Sequence, residues 1–257
     1  MSIQDMLDHP EFMQRIFHPR KQRTATPDGA RDYDIPVSGN ASLGARWYIG
    51  DAAWPTVLAF HGNGEIVSDY DDIARMYHQI RLNLFMTDYR GYGWSTGSPT
   101  LSTYYTDADA VADFALRTIR AESPSAPVFL FGRSLGSGPA SHLAATRADA
   151  FAGVVLESGF ADIVPLLELL GIPPGAHAAE LSELYSNHLK LRHTTLPVLI
   201  LHGADDFLIP PEHARRNFQA VPHAHKRLEI ITGAGHNDIL MYSRQYFGAL
   251  QEFTERP

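Results

Sequence analysis

Gly132-Arg133-Ser134-Leu135-Gly136 sets a serine between two glycines in the pattern G-x-S-x-G. Five residues can match a pattern by chance, so the flanks decide what it means. Residues 128–131, Val-Phe-Leu-Phe, read as a short buried strand, and 137–145 read as a helix whose small residues suit close packing. Strand, tight turn and helix hold the central serine in a strained backbone. They also lift its hydroxyl to a helix start, where the dipole favours developing negative charge. The competing reading is an ordinary glycine-rich turn with a capping serine. A serine hydroxyl is a weak nucleophile, so the chemistry also needs a base and a carboxylate to orient that base.

Both partners should follow the serine at the carboxyl ends of later strands, where open α/β sheets bind ligands. Residues 197–201 form an apolar run that ends in His202-Gly203-Ala204-Asp205-Asp206. Residues 228–232 end in Gly233-Ala234-Gly235-His236-Asn237-Asp238, a glycine turn carrying a histidine. His236 is the expected base on chain order and strand-end position, although the chain has 13 histidines. His61 and His202 also follow strands, but they sit in His-Gly turns that suit a structural hydrogen bond. Asp205 and Asp206 compete for the acid, and spacing alone does not separate neighbours. Glu157, at the end of an earlier strand, is a third candidate. Acyl transfer further requires donors for a tetrahedral oxygen. The N–H of Leu135, next to the serine, is one. The N–H of Asn63, in His61-Gly62-Asn63-Gly64-Glu65, is the other.

The elements that must position these groups are legible as periodic runs. Two alternating segments, 31–37 and 43–49, flank Ser38-Gly39-Asn40 and predict a hairpin. Short apolar runs follow at 56–60, 84–87, 128–132, 153–157, 198–202 and 227–232. Helical patterns lie between them near 65–80, 101–120, 135–147, 161–170, 211–220 and 238–254. Strands apolar along their length, alternating with helices, predict an α/β fold with a mostly parallel central sheet of about eight strands, covered on both faces. No linker divides the chain, so 1–257 is expected to be a single domain. Its first 30 residues read as a helical extension packed on that domain, with Ile3, Met6, Leu7, Phe12, Met13, Ile16 and Phe17 at helical spacing, a break near Pro10, and a polar stretch over 21–30 with a turn at Pro27-Asp28-Gly29. The stretch from about 161 to 195 is longer than one crossover needs and reads as a crossover helix plus a small cap insertion.

Composition excludes several classes. The chain has 257 residues and no cysteine, so disulfides, a thiolate nucleophile and zinc–sulfur sites are ruled out. Hydrophobic residues at 44% and charged residues at 19% describe a globular chain rather than a disordered one. A formal charge of −8 argues against a broad nucleic-acid surface. No segment approaches the roughly 20 apolar residues of a membrane span. The N-terminus has no secretory pattern, and Ser2 is not the glycine of a myristoylation signal. A cytoplasmic location is the expectation, as monomer or homodimer.

Five motifs occur in one order: Phe60-His61-Gly62-Asn63-Gly64; the stretch from Asp88-Tyr89-Arg90-Gly91 to Gly97; Gly132-Arg133-Ser134-Leu135-Gly136; Leu201-His202-Gly203 with Asp206 and Pro210; and the turn carrying His236. Together they resemble the α/β-hydrolase superfamily, and most closely its small ABHD-type serine hydrolases, over residues 30–254. The resemblance implies the α/β-hydrolase fold and hydrolysis of a small-molecule carboxylic ester through Ser134, His236 and Asp206, with no metal or cofactor. A thioesterase, or a ligand-binding protein without turnover, is the alternative. It favours Asp206 over Asp205, because the family's acid is the fifth residue of His-Gly-x-x-Asp. It makes Glu157 and Arg90 scaffold residues. Membrane-bound depalmitoylases of this branch carry an N-terminal cysteine cluster, and this chain has no cysteine.

Overall fold

The computed structural model describes residues 3, 5 and 8–256. Met6 and Leu7, two of the apolar residues assigned to the N-terminal helix, lie outside the described residues.

Eight strands form one sheet: β1 (Ala30–Val37), β2 (Ala41–Tyr48), β3 (Thr56–Phe60), β4 (Asn83–Thr87), β5 (Val128–Arg133), β6 (Gly153–Glu157), β7 (Val198–Gly203) and β8 (Lys226–Ile231). Their order across the sheet is β1-β2-β4-β3-β5-β6-β7-β8. β1 and β2 pair antiparallel around a turn whose Gly39 and Asn40 have positive φ. β2 meets β4 antiparallel, and every pairing from β4 across to β8 is parallel. β3 to β7 are buried at every residue, as continuous apolar runs require. The edges are different. β1 carries charges and Pro36, and β8 is only partly buried over most of its length.

Alternate side chains of each strand enter opposite cores. Leu58, Leu130 and Ile200 face α3 (Leu101–Glu122), α4 (Ser137–Thr146) and α8 (Pro211–Ala220). Val57, Phe129 and Leu199 face α2 (Ala74–Gln79) and α9 (Ser243–Glu255). Among the described residues no helix is long and apolar enough to cross a membrane.

Two segments depart from the sequence reading. The helix expected over 65–80 is a short 3-10 turn, Val67–Tyr70, followed by α2. Local carboxylates hold the break: Asp69 accepts from Ile66 N–H, and Asp71 is drawn away to Arg46 and the Tyr48 hydroxyl. The N-terminal extension is helical only in part. α1 (Pro10–Ile16) starts on a proline, whose missing N–H is harmless at that position. It stops before His18-Pro19, because the residue preceding a proline avoids helical backbone. Residues 18–27 then run as an irregular strap past the carboxyl edge of the sheet, where Arg20 O accepts from Gly93 N–H.

Between β6 and β7 the chain forms α5 (Ile163–Leu169), α6 (Ala178–Tyr185) and α7 (Asn187–Leu191). Gly171, at φ +70°, closes α5, with Ile172 N–H donating to Leu167 O. The fully buried Asn187 donates to Phe160 O and to Ser137 Oγ, each at 2.8 Å, and so ties this insertion to the first turn of α4.

The strap is fastened by Arg46 on β2. Its fully buried guanidinium pairs with Asp32 at 2.5 Å and Asp71 at 2.7 Å and donates to Thr24 O. Removing it leaves Asp32 desolvated and without its main partner. Arg46→Ala should therefore lower the unfolding free energy by about 3–5 kcal/mol in urea titration. A loss below about 1 kcal/mol, the range of a surface pair, would contradict the assignment.

Candidate active site

β5 ends at Arg133, and the chain turns through Ser134–Gly136 into α4. Ser134 has φ +50°, a left-handed conformation costly for a residue with a β-carbon. The two glycines make the turn sterically possible. A β-carbon at Gly132 would stand 2.2 Å from Gly136 O, and one at Gly136 would stand 2.0 Å from Phe60 O. The turn is thus pressed against the end of β3, whose following loop carries Asn63.

Three side chains from three strand ends meet here. Ser134 Oγ lies 3.0 Å from His236 Nε2, and His236 Nδ1 lies 2.7 Å from Asp206 Oδ2. All three residues are buried. A carboxylate only accepts, so Nδ1 carries the imidazole proton and Nε2 is free to accept from the serine hydroxyl. The other Asp206 oxygen accepts from the N–H groups of Leu208 and Ile209 at 3.0 and 2.8 Å. Burial by itself would raise the Asp206 carboxyl. Hydrogen bonds from His202, His236 and Ile209 outweigh it and hold the group well below the usual carboxylate range. Asp205 is exposed, and its N–H donates to Ala234 O. Gly203 permits that contact, since a β-carbon there would lie 2.3 Å from Ala234 O.

His202 donates to Ile209 O at 2.8 Å and lies 3.4 Å from Asp206, so it shapes the acid's loop. His61 is fully buried with Nε2 3.2 Å from Asp88 Oδ1. Tyr89 Oη donates to His61 O, and Tyr92 Oη donates to Asn63 Oδ1, both at 2.7 Å. The Asp88–Gly97 stretch is therefore the scaffold of the Asn63 loop, and Arg90 serves it through a buried pair with Asp107. Asn63 Nδ2 donates to Ile16 O, and Oδ1 also accepts from His18 N–H. The backbone N–H of Asn63 donates to no described residue.

Glu157 is buried but does not hold the histidine. It accepts from Tyr246 Oη at 2.6 Å and pairs with Arg133 at 3.0 Å. Burial raises its carboxyl against the pull of Arg133. Arg133 was unremarked in the sequence because it occupies a variable position of the motif. It pairs with Glu65 at 2.5 Å and with Glu157, and donates to His236 O and Asn237 Oδ1 at 3.0 Å. Glu65 in turn accepts from Gly62 N–H at 2.8 Å. One guanidinium thus joins the histidine turn, the Asn63 loop and the end of β6.

Ser134, Leu135 and Asn63 border one cavity of about 150 Å³. Its other walls are apolar: Phe160, Leu166 and Leu170 around the insertion, Leu208 and Ile209 after Asp206, and Ile16 from α1. Among the described residues no charged side chain lines it. Ile16 was visible in the sequence only as one member of an apolar helical stripe. Among the described residues no group of three or more His, Asp or Glu stands where it could hold a metal ion.

A parallel sheet with this strand order, carrying a serine at a left-handed elbow bonded to histidine and aspartate from later strands, defines a class. The model of the family described as serine aminopeptidase, S33 matches residues 52–192 and 179–240. The chain belongs to that family and is an ABHD-type α/β-hydrolase. It is 34% identical over 203 residues to alpha/beta hydrolase domain-containing protein 17C of Mus musculus. That match covers 77% of this chain and 59% of the mouse protein, so the chain spans about three fifths of the curated relatives it matches. Among solved structures, an esterase of Pyrococcus furiosus superposes with a TM-score of 0.73 at 19% identity, over 94% of this chain and 99% of that one. A soluble variant of the monoglyceride lipase of Saccharomyces cerevisiae does so with 0.68 at 18%, over 93% and 98%. Both likenesses concern the fold.

The depressed Asp206 carboxyl has a consequence for acid stability. A group held below its unfolded value stabilises the fold fully above that value and loses its effect as pH falls through the folded one. The difference in thermal stability between wild type and Asp206→Asn should therefore hold near pH 5 and narrow as pH drops below about 4. A difference that stays constant down to pH 2 would show that Asp206 titrates normally.

Proposed function

We propose that this protein is a serine hydrolase that cleaves carboxylic esters through an acyl-enzyme, with Ser134, His236 and Asp206 as catalytic triad. The observation that carries the reading is the unbroken chain of contacts, 3.0 and 2.7 Å, from Ser134 Oγ to Asp206 at the wall of an apolar cavity. His236 Nε2 takes the serine proton as Oγ attacks the carbonyl carbon. The backbone N–H groups of Asn63 and Leu135 receive the oxyanion. The imidazolium gives its proton to the departing alcohol; the neutral imidazole then takes one from water as the water oxygen attacks the acyl carbon, and returns it to Ser134 Oγ as the acid leaves. Asp206 holds the tautomer throughout. Every step is carried by side chains and backbone amides of this chain.

The same triad cleaves thioesters, so a thioesterase or deacylase is the close second reading. The family description favours a peptide substrate instead. An aminopeptidase, however, must hold a free ammonium group, and among the described residues no carboxylate lines the cavity beside Ser134. The small cavity supports short or medium acyl chains. A one-domain enzyme capped by residues 161–195, cytoplasmic and monomeric or homodimeric, acting on a small-molecule acyl substrate, completes the proposal.

Hydrolysis of p-nitrophenyl esters from acetate to palmitate tests it. Wild type should turn over with a clear chain-length optimum. Ser134→Ala should lose on the order of 10⁶-fold in kcat, and Asp206→Ala on the order of 10⁴-fold. Equal inactivity of wild type and Ser134→Ala on every ester and acyl thioester would leave a ligand-binding role in place of the enzyme.

A further inference from the structure

The cavity beside Ser134 adjoins a second apolar space, of about 10 Å³, lined by Phe12, Met13, Leu101, Ile172 and Leu181. Two side chains line both spaces, Ile16 from α1 and Leu167 from α5. They stand between the two, and both are buried, Ile16 at 6% exposure and Leu167 at 1%. Ile16 is also fixed from both sides. Its carbonyl accepts from Asn63 Nδ2 at 2.7 Å, and the neighbouring Arg15 donates to Gly171 O at 2.7 Å, at the end of α5. The partition therefore sits on the loop that carries the proposed oxyanion donor and on the helix that roofs the cavity. Those bonds fix the backbone of α1 at Ile16 against the Asn63 loop and the end of α5.

We propose that Ile16 and Leu167 form the end wall of the acyl pocket and restrict this site to esters of compact acyl groups. The inference rests on the esterase reading above. A cavity of about 150 Å³ takes a body the size of benzene, which in a flexible chain corresponds to about four to six carbons. Beyond the wall every described side chain that lines the space is apolar. Truncating Ile16 or Leu167 joins that space to the pocket and lengthens it toward Leu101 and Leu181. Enlarging Ile16 shortens it. The N-terminal segment thus acts as a specificity element of the site.

The test is the ratio of kcat/KM for p-nitrophenyl decanoate over butyrate, each normalised to the fraction of Ser134 labelled by a fluorophosphonate. Wild type should favour butyrate. Ile16→Ala and Leu167→Ala should each raise the ratio at least about tenfold, the discrimination typical of methylene-sized changes in an apolar pocket. Ile16→Phe should lower it. Thermal melting identifies any variant that fails to fold. Should the truncations unfold, Ile16→Phe decides alone, because added bulk beside Ser134 must penalise longer chains first. A ratio that does not move in folded, labelled variants overturns the wall. A wild type that neither labels nor hydrolyses any ester overturns the esterase reading itself, which is a distinct result.

Discussion

The approach of Gly136 to the carbonyl of Phe60 is the constraint on which the site depends. It brings the end of β5 against the end of β3 with no side chain between them. That contact forces the turn at Ser134 into left-handed backbone, at a cost of about 1–3 kcal/mol that the surrounding sheet must sustain. The same contact puts the Asn63 loop beside the serine. The strand order makes it possible, since β3 and β5 are neighbours in the sheet while β4 lies on the far side of β3. β6 and β7 then follow outward, so the loops after β7 and β8 reach back to the serine from one side.

Placement of those loops is an electrostatic problem as much as a packing one. Three separate turns have to hold their positions relative to one another closely. Arg133 and Asp206 solve this from opposite ends. Arg133 is buried beside Glu65 and Glu157 and donates into the histidine turn, so its charge is compensated and its hydrogen bonds fix geometry. Asp206 is satisfied by two backbone N–H groups of its own loop before it meets His236. The histidine is therefore oriented by groups that are themselves already fixed, which is the condition for preorganisation.

Much of this was legible in the sequence because buried parallel strands leave continuous apolar runs, and because glycines mark the places where backbones must nearly touch. The elbow, the Asn63 loop and the histidine turn each follow such a run. What stayed hidden depends on distant partners. Spacing alone does not separate Asp205 from Asp206; the family pattern favoured Asp206, and Asp206 is the one that meets His236. The expected helix over 65–80 broke because Asp71 pairs with Arg46, 25 residues earlier. Arg133 looked like a variable position of its motif until three loops closed around it. The stripe containing Ile16 announced a packed helix but not the cavity that it borders.

In the proposed mechanism Ser134 is activated by His236 through a tautomer that Asp206 enforces. Intact-mass spectrometry after fluorophosphonate treatment, with peptide mapping of the adduct, tests it most directly. That mechanism predicts one adduct per chain, located on Ser134. It also predicts that Asp206→Asn slows its formation by orders of magnitude at neutral pH, since an amide no longer enforces the reactive tautomer. No adduct, an adduct on Ser137 or another hydroxyl, or labelling unaffected by Asp206→Asn would contradict it.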